Sequence, residues 1–250
     1  MKVLGIIPSR YQSTRFPGKP LADIMGKSMI FRVYEQVSKS PLINELVVAT
    51  DDERIADHVK NFGGKVMLTS KNHANGTSRC LEVLESLSNQ GKEFDIVVNI
   101  QGDEPFIQPE QIDQIVGLFS DDVTEIASLA SRINTKKDLF DSNVVKVVMN
   151  PNGNALYFSR QAIPFLRGIE QEAWLDKNSF YKHVGIYAYK TNILKKINTL
   201  EPSPLEESEK LEQLRWLEND FVIRLGITDY KGVGIDAPED ITKLINNSCD

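Results

Sequence analysis

Short apolar runs alternate with segments of helical periodicity through the first hundred residues. Each apolar run has the length of a strand, and each periodic segment places its apolar residues on one helical face. The pattern predicts strands at residues 3–7, 45–50, 65–68 and 94–100, and helices at residues 28–38, 52–62 and 78–87. This order is typical of βαβ units, so we expect an α/β fold with a mainly parallel sheet flanked by helices.

The pattern changes after residue 126. Predicted strands at 144–149 and 155–159 flank the sequence Asn-Pro-Asn-Gly-Asn at 150–154, which favours a hairpin turn. Residues 138–180 are therefore predicted to form an antiparallel excursion within a single domain of 250 residues. The remaining predicted elements are a strand at 182–189, a helix from the capping box at Ser203 to Glu218, a strand at 222–227 and a helix at 236–246.

Composition adds limits on the class of protein. Hydrophobic residues make up 41% of the chain, which is enough for a core, and no stretch reaches the ~20 apolar residues of a membrane span. The net charge of -6 argues against duplex nucleic acid as a partner. The two cysteines have no metal-ligand spacing and suit a reducing compartment. We expect a soluble cytoplasmic protein.

A basic loop follows the first predicted strand. Arg10, Arg15 and Lys19 lie within ten residues, at the carboxyl end of that strand, where open α/β sheets bind ligands. Arginine and lysine side chains neutralise phosphate oxygens and a departing pyrophosphate. The loop is not a Walker A motif, because Ser13 stands where that motif has glycine. A solvated loop without a ligand remains the alternative interpretation.

Two aspartates are candidates for a Mg²⁺ site. Asp103 follows a strongly apolar strand, and Asp236 precedes the last predicted helix. Magnesium sites that handle triphosphates combine one or two carboxylates with phosphate oxygens. The alternatives are a turn residue at position 103 and a helix N-cap at position 236.

Polar residues of the second half form two further candidate groups. On the strand at 182–189, His183 and Tyr187 share one face, which lines either a pocket or solvent. Arg160 and Arg167 are suited to a carboxylate, although surface arginines would look the same. The helix that begins at Ser203 places on one face the side chains of Glu209, Glu212, Gln213 and Trp216.

Taken in order, these segments resemble the bacterial 3-deoxy-manno-octulosonate (Kdo) cytidylyltransferases. The resemblance covers nearly the whole chain. Its motifs are IPSRY at 7–11, PGKPL at 17–21, VATD at 48–51, GT at 76–77, VNIQGDEP at 98–105, ALYFSR at 155–160, HVGIY at 183–187, PSPLE at 202–206, LEQLR at 211–215 and GIDAPED at 234–240.

The resemblance implies a Rossmann-like nucleotidyltransferase fold and transfer of CMP from CTP to Kdo, with release of pyrophosphate, for lipopolysaccharide biosynthesis. It also implies a homodimer to which the excursion contributes, and Mg²⁺ held by Asp103 and Asp236. The implied nucleotide-binding residues are Pro8, Ser9, Arg10, Thr14, Arg15, Lys19, Asn75, Gly76, Thr77 and Gln101. The implied sugar-binding residues are Gln101, Arg160, Arg167, His183, Tyr187, Glu212 and Gln213.

Among these residues, the implied catalytic set is Arg10, Lys19, Asp103 and Asp236. Two alternatives within the class stay open: an acceptor such as 8-amino-Kdo, for which Glu209 or Glu212 is a candidate partner, and a nonulosonic acid such as sialic acid. A non-catalytic CTP-binding protein is the alternative from another class.

Overall fold

The computed structural model describes residues 1–12, 16–230, 234–235 and 237–241, which group into two compact units. The first unit contains residues 1–113 with the described residues after 233, and the second contains the described residues between 114 and 231. No helix in these ranges is long and apolar enough to cross a membrane.

The first unit is built on a parallel sheet. The unit as a whole has six strands: β1 (Val3–Ser9), β2 (Asp23–Ile24), β3 (Lys27–Ser28), β4 (Glu45–Thr50), β5 (Val66–Leu68) and β6 (Ile96–Asn99). Four of them pair in the order β6-β1-β4-β5, all parallel, while β2 and β3 form a separate hairpin. The order places β1 centrally, so its carboxyl end is flanked by those of β4 and β6.

Three of the four helices of the first unit begin at a capping side chain. They are α1 (Met29–Val37), α2 (Glu53–Asn61), α3 (Gly76–Ser88) and α4 (Pro109–Gly117), in which the division between the units falls. Ser28, Asp52 and Asn75 accept hydrogen bonds from the first turns of α1, α2 and α3. Because Asn75 is the cap, α3 begins two residues before the predicted start at 78.

The apolar faces of these elements form the core of the first unit. Val33 and Val37 of α1 and Val47 of β4 are at most 3% exposed. Full burial of one such side chain stabilises the fold by ~1.5–3 kcal/mol, which explains why the apolar pattern alone predicts the elements.

The second unit has a mixed sheet. Its strands are β7 (Ile126–Arg132), β8 (Lys146–Met149), β9 (Ala155–Ser159), β10 (Tyr181–Lys190) and β11 (Ile223–Ile227). Strand β7 is parallel to β11 and antiparallel to β10, while β8 is antiparallel to both β10 and β9. The helices are α5 (Lys136–Phe140), α6 (Trp174–Lys177), α7 (Thr191–Ile197), α8 (Pro204–Glu209) and α9 (Glu212–Glu218).

The predicted hairpin is confirmed between β8 and β9. Asn150 N donates to Asn154 O at 2.9 Å, and Gly153 takes a left-handed φ of 77°, which suits glycine. Within the excursion, the Trp174 ring stacks on Phe180 with 5.8 Å between centroids, beside buried Ile133 and Leu139. The α/β fold class with an antiparallel excursion is therefore confirmed.

The prediction of one helix from Ser203 to Glu218 is wrong. Lys210 has a left-handed φ of 54°, which ends α8 at Glu209, and α9 begins at Glu212. The predicted polar face is broken by this turn, and its members Gln213 and Trp216 are buried at 5% and 1% exposure. Apart from residues 237–241, the predicted helix at 236–246 lies outside the described residues.

Candidate active site

A cavity of about 830 Å³ lies at the carboxyl ends of β1 and β6 in the first unit. These strands are parallel neighbours, so the segments that follow them meet at one edge of the sheet. The cavity is lined by Pro8, Ser9, Arg10, Tyr11, Gln12, Pro17, Lys19, Pro20, Arg54, Gln101, Gly102 and Asp103.

Gly102 lets these two segments approach closely. A Cβ atom at this position would lie 3.0 Å from the carbonyl oxygen of Pro8 and 3.1 Å from Ser9 Oγ. Any larger residue would push Asp103 away from the end of β1. The glycine is therefore needed for the shape of the cavity.

Lys19 and Asp103 form an ion pair within the cavity. Lys19 Nζ donates to Asp103 Oδ2 at 2.7 Å, and the two side chains are 15% and 33% exposed. Lys19 opens a 3-10 turn directly after Gly18, whose φ of 73° favours glycine. A cation and a carboxylate are thus held at one wall, 84 residues apart in the chain.

The donor set fits a Mg²⁺ ion carried in part by substrate. Asp103 offers carboxylate oxygens at a cavity that also presents cations for phosphate, and Mg²⁺ is usually held by one or two carboxylates plus phosphates and water. Within the described ranges, no three His, Cys, Asp or Glu side chains form an all-protein metal site. The second predicted ligand, Asp236, lies outside the described residues, as do Thr14 and Arg15 of the basic loop.

Arg54 and Tyr11 are among the cavity residues that the sequence did not predict as site residues. The Arg54 guanidinium lies 3.3 Å from the centroid of the Tyr11 ring and forms two hydrogen bonds with Asp52, at 2.9 and 2.7 Å. These bonds raise the pKa of Arg54 and lower the pKa of Asp52. The sequence gives no local signal for this stacking, because Arg54 lies on α2 and Tyr11 lies in the basic loop, far apart along the chain.

The predicted segment 75–77 contacts the end of β1 without lining the cavity. A Cβ on Gly76 would lie 3.4 Å from Pro8 Cγ, so the start of α3 packs against the strand end. Asn75 serves as the helix cap, with its Oδ1 accepting from Ser78 N at 2.9 Å, and Thr77 is buried. Buried Arg79 follows on the same helix, 3.6 Å from Asp51, and burial lowers its pKa.

In the second unit, Arg160 follows the last residue of β9. Its Nε donates to Glu209 O at 2.7 Å and its Nη1 to Ser142 O at 3.1 Å. Since a guanidinium has five N–H donors, three remain without a partner among the described residues. Arg167 is exposed and makes no ion pair with any residue described.

His183 and Tyr187 of β10 lie together, as the sequence predicts. Their ring centroids are 5.1 Å apart, and the Phe158 ring contacts His183 edge-on at 5.2 Å. The two side chains lie together even though the pairing register of β10 with β7 shifts between Val184 and Tyr187. Burial lowers the pKa of His183 to about 4, and burial, with the nearby Glu212 carboxylate, raises the pKa of Tyr187 well above its ordinary value. Both rings are therefore neutral near pH 7.

Ser128 contacts His183 and two backbone carbonyls of β10. Its Oγ lies 2.8 Å from Ile186 O, 3.3 Å from Val184 O and 2.9 Å from His183 Nε2. If the single hydroxyl hydrogen goes to one of these carbonyl oxygens, which only accept, Nε2–H must donate to Oγ. The Nδ1 atom of His183 then carries a lone pair and can accept a hydrogen bond from a ligand hydroxyl.

The last two predicted sugar-binding residues lie on α9. Gln213 is buried, and Glu212 lies 3.6 Å from Arg215 at the first turn of the helix. Glu209, on α8, has both carboxylate oxygens occupied: Oε1 accepts from Ser159 Oγ at 2.6 Å and Oε2 from Arg160 N at 3.0 Å.

Acidification is expected to destabilise the protein through His183. The folded-state pKa of about 4 lies below the unfolded value near 6.5, so stability is full above pH 6.5 and falls as the pH drops towards 4. We expect His183→Asn to remove about 2–3 kcal/mol of the loss between pH 7.5 and 4.5, at ~1.4 kcal/mol per pKa unit. Urea unfolding at both pH values measures this difference, and identical pH dependence in the two proteins would contradict it.

Comparison with known proteins gives a consistent set of relatives. The family model described as "Cytidylyltransferase" matches residues 4–226. The chain is 52% identical to the 3-deoxy-manno-octulosonate cytidylyltransferase of Parabacteroides distasonis, covering 98% of this chain and 97% of that protein. It is 48% identical to the protein of the same name from Thermodesulfovibrio yellowstonii, with 96% of each covered. A solved CMP:2-keto-3-deoxy-manno-octonic acid synthetase complexed with CTP is 38% identical, with a TM-score of 0.90 over 100% of this chain and 99% of that one.

Proposed function

This chain belongs to the cytidylyltransferase family, and on that premise we propose that it transfers CMP from CTP to 3-deoxy-manno-octulosonate, giving CMP-Kdo and pyrophosphate. The observation that carries the proposal is the cavity of the first unit, where Arg10, Lys19 and Asp103 lie at the carboxyl ends of two parallel strands. Relatives that share about half of their residues with this chain along nearly its whole length carry the name of that reaction.

The cavity residues have separable roles in the transfer. The anomeric hydroxyl oxygen of the sugar bonds to the α-phosphorus of CTP as the bond to pyrophosphate breaks. Negative charge then builds on the departing pyrophosphate, and Arg10 and Lys19 stabilise it. We assign Gln101, with the backbone of Pro8 and Ser9, to the cytidine. Thr14 and Arg15 keep their predicted role of binding the CTP phosphates. The segment 75–77 contacts the end of β1 and supports the nucleotide-binding cavity through that contact.

Mg²⁺ is the proposed cofactor, held by Asp103 and by Asp236 as the second ligand. When bound, it supplies Lewis-acid charge to the phosphate oxygens and makes the sugar hydroxyl easier to ionise. Lys19 keeps the Asp103 carboxylate oriented at the cavity wall through their hydrogen bond of 2.7 Å.

The second unit supplies groups suited to an acidic sugar. Three unpartnered donors of Arg160 match a carboxylate, and Nδ1 of His183 and the Tyr187 hydroxyl match sugar hydroxyls. Glu212 and Gln213 keep their predicted contacts to the sugar, and exposed Arg167 adds long-range attraction for its negative charge.

Glu209 bears on the choice between Kdo and its 8-amino analogue. An ammonium group at C8 calls for a nearby carboxylate, and each Glu209 oxygen already accepts one hydrogen bond, from Ser159 and from Arg160. Because this carboxylate is engaged in holding Ser159 and Arg160, we propose the hydroxyl sugar as the acceptor.

The setting of the reaction is also proposed. The product is an activated Kdo, which serves lipopolysaccharide biosynthesis, and the two cysteines of the chain suit the cytoplasm. We propose a homodimer, with the excursion at 138–180 contributing to its interface.

Pyrophosphate release tests the function directly. We expect release only when CTP, Kdo and Mg²⁺ are all present, with kcat/KM for CTP at least a hundredfold above that for ATP, because the purine ring is too large for a pyrimidine pocket. Sialic acid and 8-amino-Kdo are the competing acceptors in the same assay. CTP binding without any turnover would overturn the proposal and favour a non-catalytic CTP-binding protein, whereas pyrophosphate release without an acceptor would overturn it in favour of CTP hydrolysis.

A further inference from the structure

A fully buried lysine lies beneath Arg160. Lys146, at the start of β8, is 0% exposed, and burial lowers its pKa. Its Nζ donates to Asp141 O at 2.9 Å, to Val144 O at 2.6 Å and to Arg160 O. An ammonium group has three N–H donors, so all three are satisfied by backbone carbonyls and none remains for a ligand.

Glu209 holds the other side of the same residue. Its Oε2 accepts from the backbone N–H of Arg160 at 3.0 Å, while its own carbonyl oxygen accepts from Arg160 Nε at 2.7 Å. The backbone N–H of Arg160 thus meets a carboxylate and its carbonyl meets an ammonium. Both bonds involve a charged partner, which makes them stronger than neutral hydrogen bonds.

The position of Arg160 explains why such contacts matter. Strand β9 ends at Ser159, whose ladder partner is Lys146 itself, so Arg160 has no strand partner in the part of the chain that the structure describes. The backbone groups of a residue just past a strand usually turn to water and stay mobile. Here the Lys146 ammonium and the Glu209 carboxylate bind the backbone of Arg160 in place of a strand partner. The backbone carbonyls of Ser142 and Glu209 accept hydrogen bonds from its guanidinium.

We propose that Lys146 and Glu209 are positioning residues, which hold Arg160 so that the three donors it has without a partner among the described residues are preorganised for the carboxylate of an acidic sugar. The inference rests on the proposed function for the identity of that sugar. A preorganised arginine loses less conformational freedom when it binds, so the two residues increase affinity for the carboxylate without touching it. Neither residue is proposed as a ligand: all three N–H donors of Lys146 are used within the protein, and the Glu209 carboxylate carries the same negative charge as the sugar acid.

The test compares Glu209→Ala with the matched control Glu207→Ala, an exposed glutamate on the same helix. Steady-state kinetics are measured with Kdo and with its neutral carboxamide. For Glu209→Ala we expect KM for Kdo to rise about tenfold while KM for CTP stays within twofold, and the preference for the acid over the amide to fall by about the same factor. Glu207→Ala is expected to match the wild type in all of these values.

Two further variants separate positioning from a general loss of structure. Glu209→Gln keeps an acceptor for the Arg160 N–H, and the Ser159 hydroxyl can accept from the new amide, so we expect only about a threefold rise in KM for Kdo. In an Arg160→Ala background, Glu209→Ala is expected to change KM for Kdo by less than twofold, since its effect acts through Arg160. Lys146→Met is expected to raise KM for Kdo by about as much as Glu209→Ala. If Lys146→Met does not fold, Glu209→Gln still tests the positioning role.

The outcomes are distinguishable. An undiminished preference for the acid in Glu209→Ala, or an equal effect of Glu209→Ala with and without Arg160, would overturn the positioning role while leaving the proposed function intact. Wild-type protein without activity on Kdo would instead contradict the proposed function, and with it the identity of the carboxylate.

Discussion

An Asp103→Asn variant is expected to fold normally and to lose at least a hundredfold in kcat. The substitution keeps the shape of the side chain but removes the negative charge that pairs with Lys19 Nζ at 2.7 Å and that the proposed Mg²⁺ needs. Removing one preorganised electrostatic group from an active site typically costs about 10²–10³ in rate. Pyrophosphate release under saturating CTP and Kdo measures the loss.

Stability and a matched control separate this loss from misfolding. The Lys19–Asp103 pair is partly exposed, so its removal should change the free energy of unfolding by no more than about 1 kcal/mol. Asp57→Asn, which removes an exposed carboxylate of α2 in the same unit, is expected to retain full activity. A folded Asp103→Asn protein with near-normal kcat would rule out the proposed role.

The second large effect is expected from Arg160→Ala. A charge-assisted hydrogen bond between arginine and carboxylate contributes about 1.5–3 kcal/mol, which corresponds to a loss of ten- to about 150-fold in kcat/KM for Kdo. KM for CTP should stay unchanged, because Arg160 belongs to the second unit and not to the cavity that carries the phosphate-binding cations. The loss should be small with the carboxamide of Kdo, which has no negative charge to bind.

Two comparisons define the specificity of that effect. Arg160→Lys keeps the charge and loses the planar fork, so we expect an intermediate kcat/KM for Kdo. Lys195→Ala removes an exposed cation from α7 and controls for the loss of one positive charge from the same unit. Equal losses for the acid and the amide substrates in Arg160→Ala would contradict a contact with the carboxylate.

The sequence by itself determined most of the local structure. Strand β4 has the predicted bounds, and α1 and α2 differ from prediction by one residue at each end, because apolar periodicity and the caps Ser28 and Asp52 are local signals. Strand β7 was not predicted, since six of its seven residues are buried and its two-residue alternation is lost. The break at Lys210 was missed because lysine rarely adopts a left-handed φ.

Candidate chemistry was predicted as residue types, and only the tertiary structure decided how those residues pair. Lys19 and Asp103 were each identified as candidates from the sequence, but the hydrogen bond between them joins positions 84 residues apart. The sequence placed Glu209 on one face of a predicted helix, yet the fold turns its carboxylate onto Ser159 and Arg160, about fifty residues earlier. Local periodicity records which face of an element is apolar, whereas a long-range polar contact depends on the register and turns of every element between its partners. Burial then fixes the chemistry, because removing a charged or titratable group from water shifts its pKa and requires nearby donors or acceptors.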